Sequence, residues 1–266
     1  MKKQDPTGRL PNLDNVGKLT GPSWDEAIAV YDEILKGGRE ALVKLIGAIP
    51  DFDAAETFKP RYALHGIVLY VCRPEKEKER ATVVEALVSQ IPERSKAVAG
   101  FLIRELQVVG GREVADALGK LLLDDELWEY AAQALQAIGV VEPFRRALPQ
   151  AKGRYLLTIV RALGVMRDRE SIPAFRAAAV DASLDLRLTA LWALANIGDA
   201  GSVDLLIKAA DAQETTERIK AASACLLLAE KLPKADAAKI YTYLRDSRTE
   251  PAERYLRDAA VRLAAS

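Results

Sequence analysis

The chain has 266 residues, of which 50% are hydrophobic and 29% are charged, a balance typical of folded rather than disordered proteins. Lys plus Arg and Asp plus Glu both total 38, and the resulting zero net charge argues against a protein whose whole surface binds nucleic acid. No apolar run is long enough to span a membrane, and residues 1–6 lack the apolar stretch of a signal peptide. The sequence predicts a cytoplasmic protein, or an exported one if a leader was removed from this chain.

The segment 1–22 is polar and rich in proline, and we predict an irregular N-terminal arm there. Four apolar side chains of the arm are spaced so that they can pack against the first helices: Leu10, Leu13, Val16 and Leu19. Ser23 and Glu26 have the spacing of a capping box, in which each side chain bonds a backbone N–H at the start of a helix. Helices are then predicted over residues 23–35, 39–49, 60–72 and 75–91.

From residue 95 onward, apolar side chains recur in one helical stripe, at i, i+4, i+7, i+8 and i+11. The stripe is clearest in Leu186, Ala190, Ala193, Leu194 and Ile197. One set of helices is predicted near residues 95–109, 126–138, 153–164, 184–197 and 216–231. Their partners are predicted near residues 112–123, 141–148, 171–180, 202–211 and 235–245. The connections are short, so neighbouring helices are antiparallel.

A register for the whole chain follows from taking one leucine in each repeat. These leucines are Leu69, Leu106, Leu135, Leu163, Leu194 and Leu226. Their separation of about thirty residues predicts a solenoid of stacked helix pairs. The register places Ala190 and Ala193 between helices and Asn196 on the exposed side.

The segment from Ser183 to Val203, with Ala190, Ala193, Leu194, Ile197, Gly198 and Asp199 in place, resembles a HEAT repeat of the short bacterial type named after the bilin or phycobilisome-linker lyases. The resemblance covers roughly residues 95–250. Glu105 departs from it at a position for a small apolar residue, and Arg218 departs from it at the position of Leu186. It implies an all-α fold, a right-handed α-α superhelix of antiparallel helix pairs over residues 23–266 with a capping helix at about 251–264. The family comprises mainly adaptors and scaffolds, with a few enzymes.

The sequence offers little catalytic chemistry. His65 is the single histidine, which excludes a metal site or a catalytic pair built on several histidines. The register places it at the position of Ala190, so we expect a structural role. Four carboxylates lie close together at Asp124, Asp125, Glu126 and Glu129, and we interpret them as a favourable helix start rather than a cation or acid–base site. We predict no enzymatic activity, no metal and no cofactor.

The neutral total conceals a local imbalance of charge. Residues 145–176 carry eight basic side chains against two acidic ones, and residues 113–129 carry six acidic side chains against one basic one. In a HEAT stack the second helix of each pair lines the concave side, and the register directs Arg104, Arg161 and Trp192 outward there. Glu129 and Lys220 lie about one turn earlier on their helices.

We therefore predict a monomeric scaffold whose concave groove binds a protein or peptide, with acidic partners favoured. Its predicted partner-binding residues are Arg104, Glu129, Arg161, Trp192 and Lys220. An exposed Trp beside arginines is typical of an interface, although Trp192 packed sideways onto a neighbouring helix is an equal alternative. Two other functions stay open: a nucleic-acid-binding protein similar to the HEAT-like DNA glycosylases, and an enzyme or cofactor chaperone similar to the bilin lyases.

Overall fold

The structure is a computed structural model that describes residues 6–10, 12–13, 19–20, 24–51 and 58–265. The chain divides into two compact units, residues 1–143 and residues 144–266. None of the helices described has both the length and the hydrophobicity needed to cross a bilayer. The predicted single solenoid over residues 23–266 stays a prediction.

The helices of the first unit are α1 (Trp24–Lys36), α2 (Gly38–Gly47), α3 (Lys59–Val71), α4 (Glu77–Gln90), α5 (Lys96–Val109), α6 (Ala115–Gly119) and α7 (Trp128–Ile138). A 3-10 turn, Arg112–Val114, precedes α6, and helix α8 (Glu142–Ala147) contains the boundary between the units. Local signals set several of these limits. Pro60 lies in the first turn of α3, where its missing N–H is harmless. The Ser95 hydroxyl accepts a bond from the Val98 N–H and caps α5.

The N-terminal segment has some regular structure. It forms a 3-10 helix, Pro6–Arg9, and a short antiparallel pair of β1 (Asn12–Leu13) and β2 (Leu19–Thr20). Leu10 is 1% exposed, and the 3-10 helix before it contacts α1 and α3, so this part of the predicted packing is confirmed. Val16 and Ser23 lie outside the described residues, as does the predicted capping box.

The helices of the second unit after α8 are α9 (Gly153–Val165), α10 (Ile172–Ala178), α11 (Leu184–Ile197), α12 (Val203–Ala210), α13 (Thr215–Ala229), α14 (Lys234–Ser247) and α15 (Arg254–Ala265). Short 3-10 turns lie between them at Leu148–Gln150, Arg169–Ser171, Ala200–Ser202 and Pro251–Glu253. The Ser183 hydroxyl caps α11 by accepting from the Leu186 N–H, and Gly198, with a φ of 77°, ends it. The predicted all-helical solenoid architecture is confirmed, since helices of one set lie side by side and partners pack against them.

Small side chains allow the helices of the second unit to approach closely. Ala190 and Ala193 are fully buried on α11. A Cβ atom added at Gly164 of α9 would come within 2.7 Å of the Ala193 Cβ, closer than two carbon atoms can lie. The apolar stripe therefore packs as the sequence predicted, and even one extra methyl group would force α9 and α11 apart.

The predicted register is correct in the middle of the chain and wrong near its ends. Leu106, Leu135, Leu163 and Leu194 are fully buried. Leu69 is 47% exposed, and Leu226 is only half-buried. The residue that takes the buried position on α13 is Cys225, which is fully buried and lies immediately before Leu226.

Two arginines establish this corrected step from Leu194 to Cys225. The Arg187 guanidinium donates to the Asp181 and Ala182 carbonyls, and the Arg218 guanidinium donates to the Ala212 and Gln213 carbonyls. Arg218 and its two acceptor residues follow Arg187 and its two acceptor residues at one constant separation. Cys225 follows Leu194 at the same separation. Arg218 is therefore the counterpart of Arg187 and not of Leu186, and it fits the repeat instead of departing from it.

Candidate functional site: a groove across α9, α11 and α13

A groove of about 830 Å³ crosses three neighbouring helices of the second unit, α9, α11 and α13. The lining side chains that define its character are Leu157, Arg161, Leu188, Trp192, Lys220 and Leu227. The groove thus has an apolar floor with a cation on each of its two outer helices.

The repeat itself builds this surface. Arg161 and Trp192 occupy the same position on α9 and α11, one repeat apart, and the counterpart on α13 is Ser223. Leu157 and Leu188 form a second row, one helical turn earlier. Lys220 lies one position beyond the exact counterpart of Leu188 on α13, so the predicted register was wrong by one position there. The Lys220 side chain still lines the groove.

Trp192 both faces the groove and packs against a neighbouring helix. Its ring is half-buried, and a Cβ added at Gly164 would lie 3.0 Å from the ring atom Cζ3. The indole therefore packs sideways onto α9 and also lines the groove. Asn196, one turn later, donates from Nδ2 to the Gly164 carbonyl at 3.0 Å and is half-buried, so the expectation that Asn196 is exposed is wrong. This bond fixes α11 against α9 and holds Trp192 in place.

Arg161 and Lys220, the two cations of the groove, are exposed to solvent. Within the residues that the structure describes, neither Arg161 nor Lys220 is within ion-pair distance of a carboxylate. Asp185, at the start of α11, also lines the groove and is exposed. The groove therefore carries a small excess of positive charge.

Other arginines of the basic segment, residues 145–176, form ion pairs within the protein. Arg145 forms a two-pronged ion pair with Asp168, with Nε at 2.9 Å from Oδ2, and the Ser171 hydroxyl donates to the same carboxylate at 2.6 Å. The arrangement recurs one repeat later with Arg176, Asp199 and Ser202. Part of the basic segment thus forms ion pairs between repeats. We call these repeated contacts of arginine, aspartate and serine the ladder. The repeated Arg and Asp-x-x-Ser pattern is the sequence signal that could have revealed it.

Ion pairs in the ladder lower the pKa values of the Asp168 and Glu217 carboxyls. Burial acts to raise the pKa of Asp168, but the hydrogen bonds from Arg145 and Ser171 outweigh it and place that pKa below its ordinary value. Arg187 continues the ladder to Glu217 on α13, with Nε 2.7 Å from Oε1, and lowers the pKa of that carboxyl. These groups stabilise the stack and are not candidates for partner binding.

The other two predicted site residues lie in the first unit. Arg104 is exposed on α5, with its guanidinium carbon 5.4 Å from the centre of the Tyr130 ring. Glu129 is exposed on α7 and accepts a bond from Gln133 Nε2 at 3.5 Å. Neither is among the residues that line the groove.

His65 and Glu105 form a partly buried polar contact between α3 and α5. The His65 Nδ1 lies 3.1 Å from both carboxylate oxygens of Glu105, which is 4% exposed. Burial raises the pKa of Glu105, against the opposing effects of His65 and Arg104. His65 is exposed over half of its side chain and is not buried like Ala190, so the register does not describe this position. Within the described residues, no group of three His, Cys, Asp or Glu side chains is placed to hold a metal ion.

The acidic cluster of the first unit begins in the turn that precedes α7. The Asp124 carboxylate accepts bonds from the Glu126 and Leu127 N–H groups at 3.0 and 2.9 Å and pairs with the Lys96 ammonium at 2.5 Å. Burial acts to raise the pKa of Asp124, but these bonds outweigh it and lower that pKa. The cluster begins the turn that leads into α7.

Comparison with known proteins agrees with this architecture. A family model described as HEAT repeats matches residues 141–226. No curated protein sequence gives a significant match. Among solved structures, an engineered protein of the Northeast Structural Genomics Consortium is 21% identical with a TM-score of 0.51, over 90% of this chain and 73% of that one.

Two other solved structures are less similar. The complex of CpcE and CpcF of phycocyanin lyase from Nostoc sp. PCC7120 is 19% identical with a TM-score of 0.35, over 88% of this chain and 98% of that one. Human deoxyhypusine hydroxylase in complex with glycerol is 14% identical with a TM-score of 0.37, over 89% and 99%. Likenesses of this size carry no argument about function. The match to the family model shows that the chain contains HEAT repeats over residues 141–226, and the helical fold agrees with this.

Proposed function

We propose that the protein is a non-catalytic scaffold that binds a protein or peptide partner in the groove across α9, α11 and α13. The observation that carries this proposal is the convergence of Arg161, Trp192 and Lys220, from three neighbouring helices, on one groove with an apolar floor. Pockets with many apolar side chains and a few well-placed polar groups are the usual binding sites of folded proteins.

The charges favour an acidic partner. Because Arg161 and Lys220 have no carboxylate partner among the described residues, an acidic ligand does not have to displace an existing ion pair. Arginine can hold a carboxylate through two parallel N–H bonds. The half-exposed indole of Trp192 supplies the large apolar contact that typically dominates the affinity of an interface.

The proposal is tested by selecting binders from a phage-displayed library of random peptides on the immobilised protein. We expect the selected peptides to bind at least tenfold more weakly to the Trp192→Ala and Arg161→Glu variants, while circular dichroism shows the same helical content. The binding should also weaken as salt is raised, since exposed charges are screened.

Two matched controls lie outside the groove in the same unit. Tyr255→Ala removes an exposed aromatic ring from α15, and Lys152→Glu makes the same charge reversal beside the start of α9. Both should leave peptide binding unchanged. Selected peptides that bind all four variants equally would place the binding surface elsewhere. Tight binding of duplex DNA at physiological salt, or an absorbance shift with a tetrapyrrole, would favour one of the alternative functions instead.

A further inference from the structure

We infer that the groove takes an extended peptide with acidic side chains at its first and seventh positions and apolar side chains at its third and fifth. The inference rests on the proposed function and names the class of partner for the same site. It follows from the arrangement of charge and apolar surface across α9, α11 and α13.

The two cations stand on opposite sides of the groove. Arg161 is on α9 and Lys220 is on α13, and α11 lies between these helices and contacts both. Axes of packed neighbouring helices are about 8–10 Å apart. The helices that carry the two cations are therefore separated by roughly 16–20 Å. A ligand that neutralises both cations needs two negative groups at a similar separation.

An extended chain matches this separation within a short length. It advances about 3.3 Å per residue, so six residues cover about 20 Å. Side chains alternate between the two faces of an extended chain. Residues at the first and seventh positions therefore point the same way, whereas a spacing of five or seven residues would turn one acid away from the groove.

A helical ligand would have to be longer to reach both cations. A helix advances about 1.5 Å per residue, so the same span needs about twelve residues. The extended form therefore connects the two cations with the shorter peptide.

The centre of the groove determines the central residues of the peptide. Leu188 and Trp192 lie one turn apart on α11, midway between the two cations, and both are half-buried. The third and fifth side chains of the peptide share a face with the two acids and point at α11. Apolar side chains there would remove this leucine and this indole from water.

Asp185 adds selectivity against highly acidic peptides. It lies in the first turn of α11 and lines the same groove. A carboxylate at the centre of the ligand would face this like charge and an apolar floor, which disfavours a continuous acidic run. The groove should therefore prefer two separated acids to a larger number of them.

The test uses synthetic heptapeptides with a fluorescent N-terminal label and an amidated C-terminus. The parent peptide has glutamate at the first and seventh positions, leucine at the third and fifth, and serine elsewhere. Its companion has the same composition with the last glutamate moved to the fourth position. We expect fluorescence anisotropy to show at least tenfold weaker binding of the companion.

A charge-reversal experiment identifies the protein residues that bind the two acidic side chains of the peptide. Lys220→Glu should weaken binding of the parent peptide at least tenfold, and a peptide with lysine in place of one terminal glutamate should recover it. Which of the two lysine peptides recovers binding reveals the direction of the chain. Lys152→Glu is the matched control and should change nothing.

The outcomes separate this inference from the scaffold proposal. Equal binding of parent and companion peptides, with a loss on Trp192→Ala, overturns the spacing and leaves the scaffold proposal standing. Failure of both heptapeptides to bind also overturns the inference, and the phage-selected peptides then decide the scaffold proposal by themselves. Binding that neither Trp192→Ala nor Lys220→Glu weakens overturns both.

Discussion

Each unit buries a carboxyl group to almost the same extent, and the pKa values of the two groups are shifted in opposite directions. Glu105 of the first unit is 4% exposed and faces His65, and burial raises its pKa. Asp168 of the second unit is 5% exposed and faces Arg145 and Ser171, and its pKa is lowered despite burial. The comparison teaches that burial alone drives a carboxyl toward its neutral form, and that a permanently charged, two-pronged partner reverses this.

The ladder of the second unit is built on a backbone turn that both units share. The Asp168 N–H bonds the Leu163 carbonyl after α9, and the Val140 N–H bonds the Leu135 carbonyl in the same way after α7. Val140 is buried, as Asp168 is. The same turn therefore accepts either an apolar side chain or a carboxylate with an arginine partner.

The largest effect should be the same in both units, because the core of small side chains is common to them. Ala134 of α7 and Ala193 of α11 are fully buried. Ala134→Asp and Ala193→Asp would each bury an unpaired charge and should lower the free energy of unfolding by about 3–5 kcal/mol, as measured by urea denaturation.

The exposed position Ala235 in the first turn of α14 supplies the control for both variants. Ala235→Asp should change the free energy of unfolding by less than about 0.5 kcal/mol. A large loss for Ala193→Asp with none for Ala134→Asp would show that the two units do not share one type of core.

A smaller effect tests the ladder itself. Arg145→Leu would leave the buried Asp168 carboxylate with Ser171 but without its cation. We expect a loss of about 2–3 kcal/mol in urea denaturation, since removal of one partner strands a buried charge.

The first unit suggests how to rescue this variant. Adding Asp168→Val to Arg145→Leu copies the apolar solution at Val140, and should recover at least half of the lost stability. A double variant as unstable as Arg145→Leu alone would mean that the two turns are not interchangeable.

The smallest effect is a pH dependence of opposite sign in the two units. The folded pKa of Asp168 lies below its ordinary value of 3.8, so its stabilisation is present above that value and is lost as pH falls through the folded pKa. The folded pKa of Glu105 lies above its ordinary value of 4.5, so its stabilisation is present below that value and is lost as pH rises through the folded pKa.

Two amide variants should reveal these slopes in urea midpoints measured across acidic and neutral pH. Asp168→Asn should destabilise the protein at neutral pH, and the difference should shrink toward acidic pH. Glu105→Gln should stabilise it at neutral pH by about 1 kcal/mol, and this gain should vanish toward acidic pH. Parallel pH profiles for the two variants would contradict the opposite assignment of the two carboxyls.

The sequence by itself determined the helices, the buried stripe of Ala190 and Ala193, and the common face of Arg161 and Trp192. These features are local, because a helical period of about 3.6 residues decides which side chains share a face. Because the sequence repeats, equivalent positions in neighbouring repeats lie on the same side of the stacked helices. Even Lys220, assigned with a register wrong by one position, reached the groove because its long side chain spans the error.

Only the tertiary structure decided which charges are free and which are used. Arg145 meets Asp168 across 23 residues, Arg187 meets Glu217 across 30, and His65 meets Glu105 across 40. Each contact depends on which faces of two separate helices are brought together. A shift of one position rotates a side chain by about 100° around its helix, so small differences in loop length decide these pairs. Composition counts Arg145 and Arg161 alike, whereas packing pairs the Arg145 guanidinium with Asp168 and leaves the Arg161 guanidinium open to a partner.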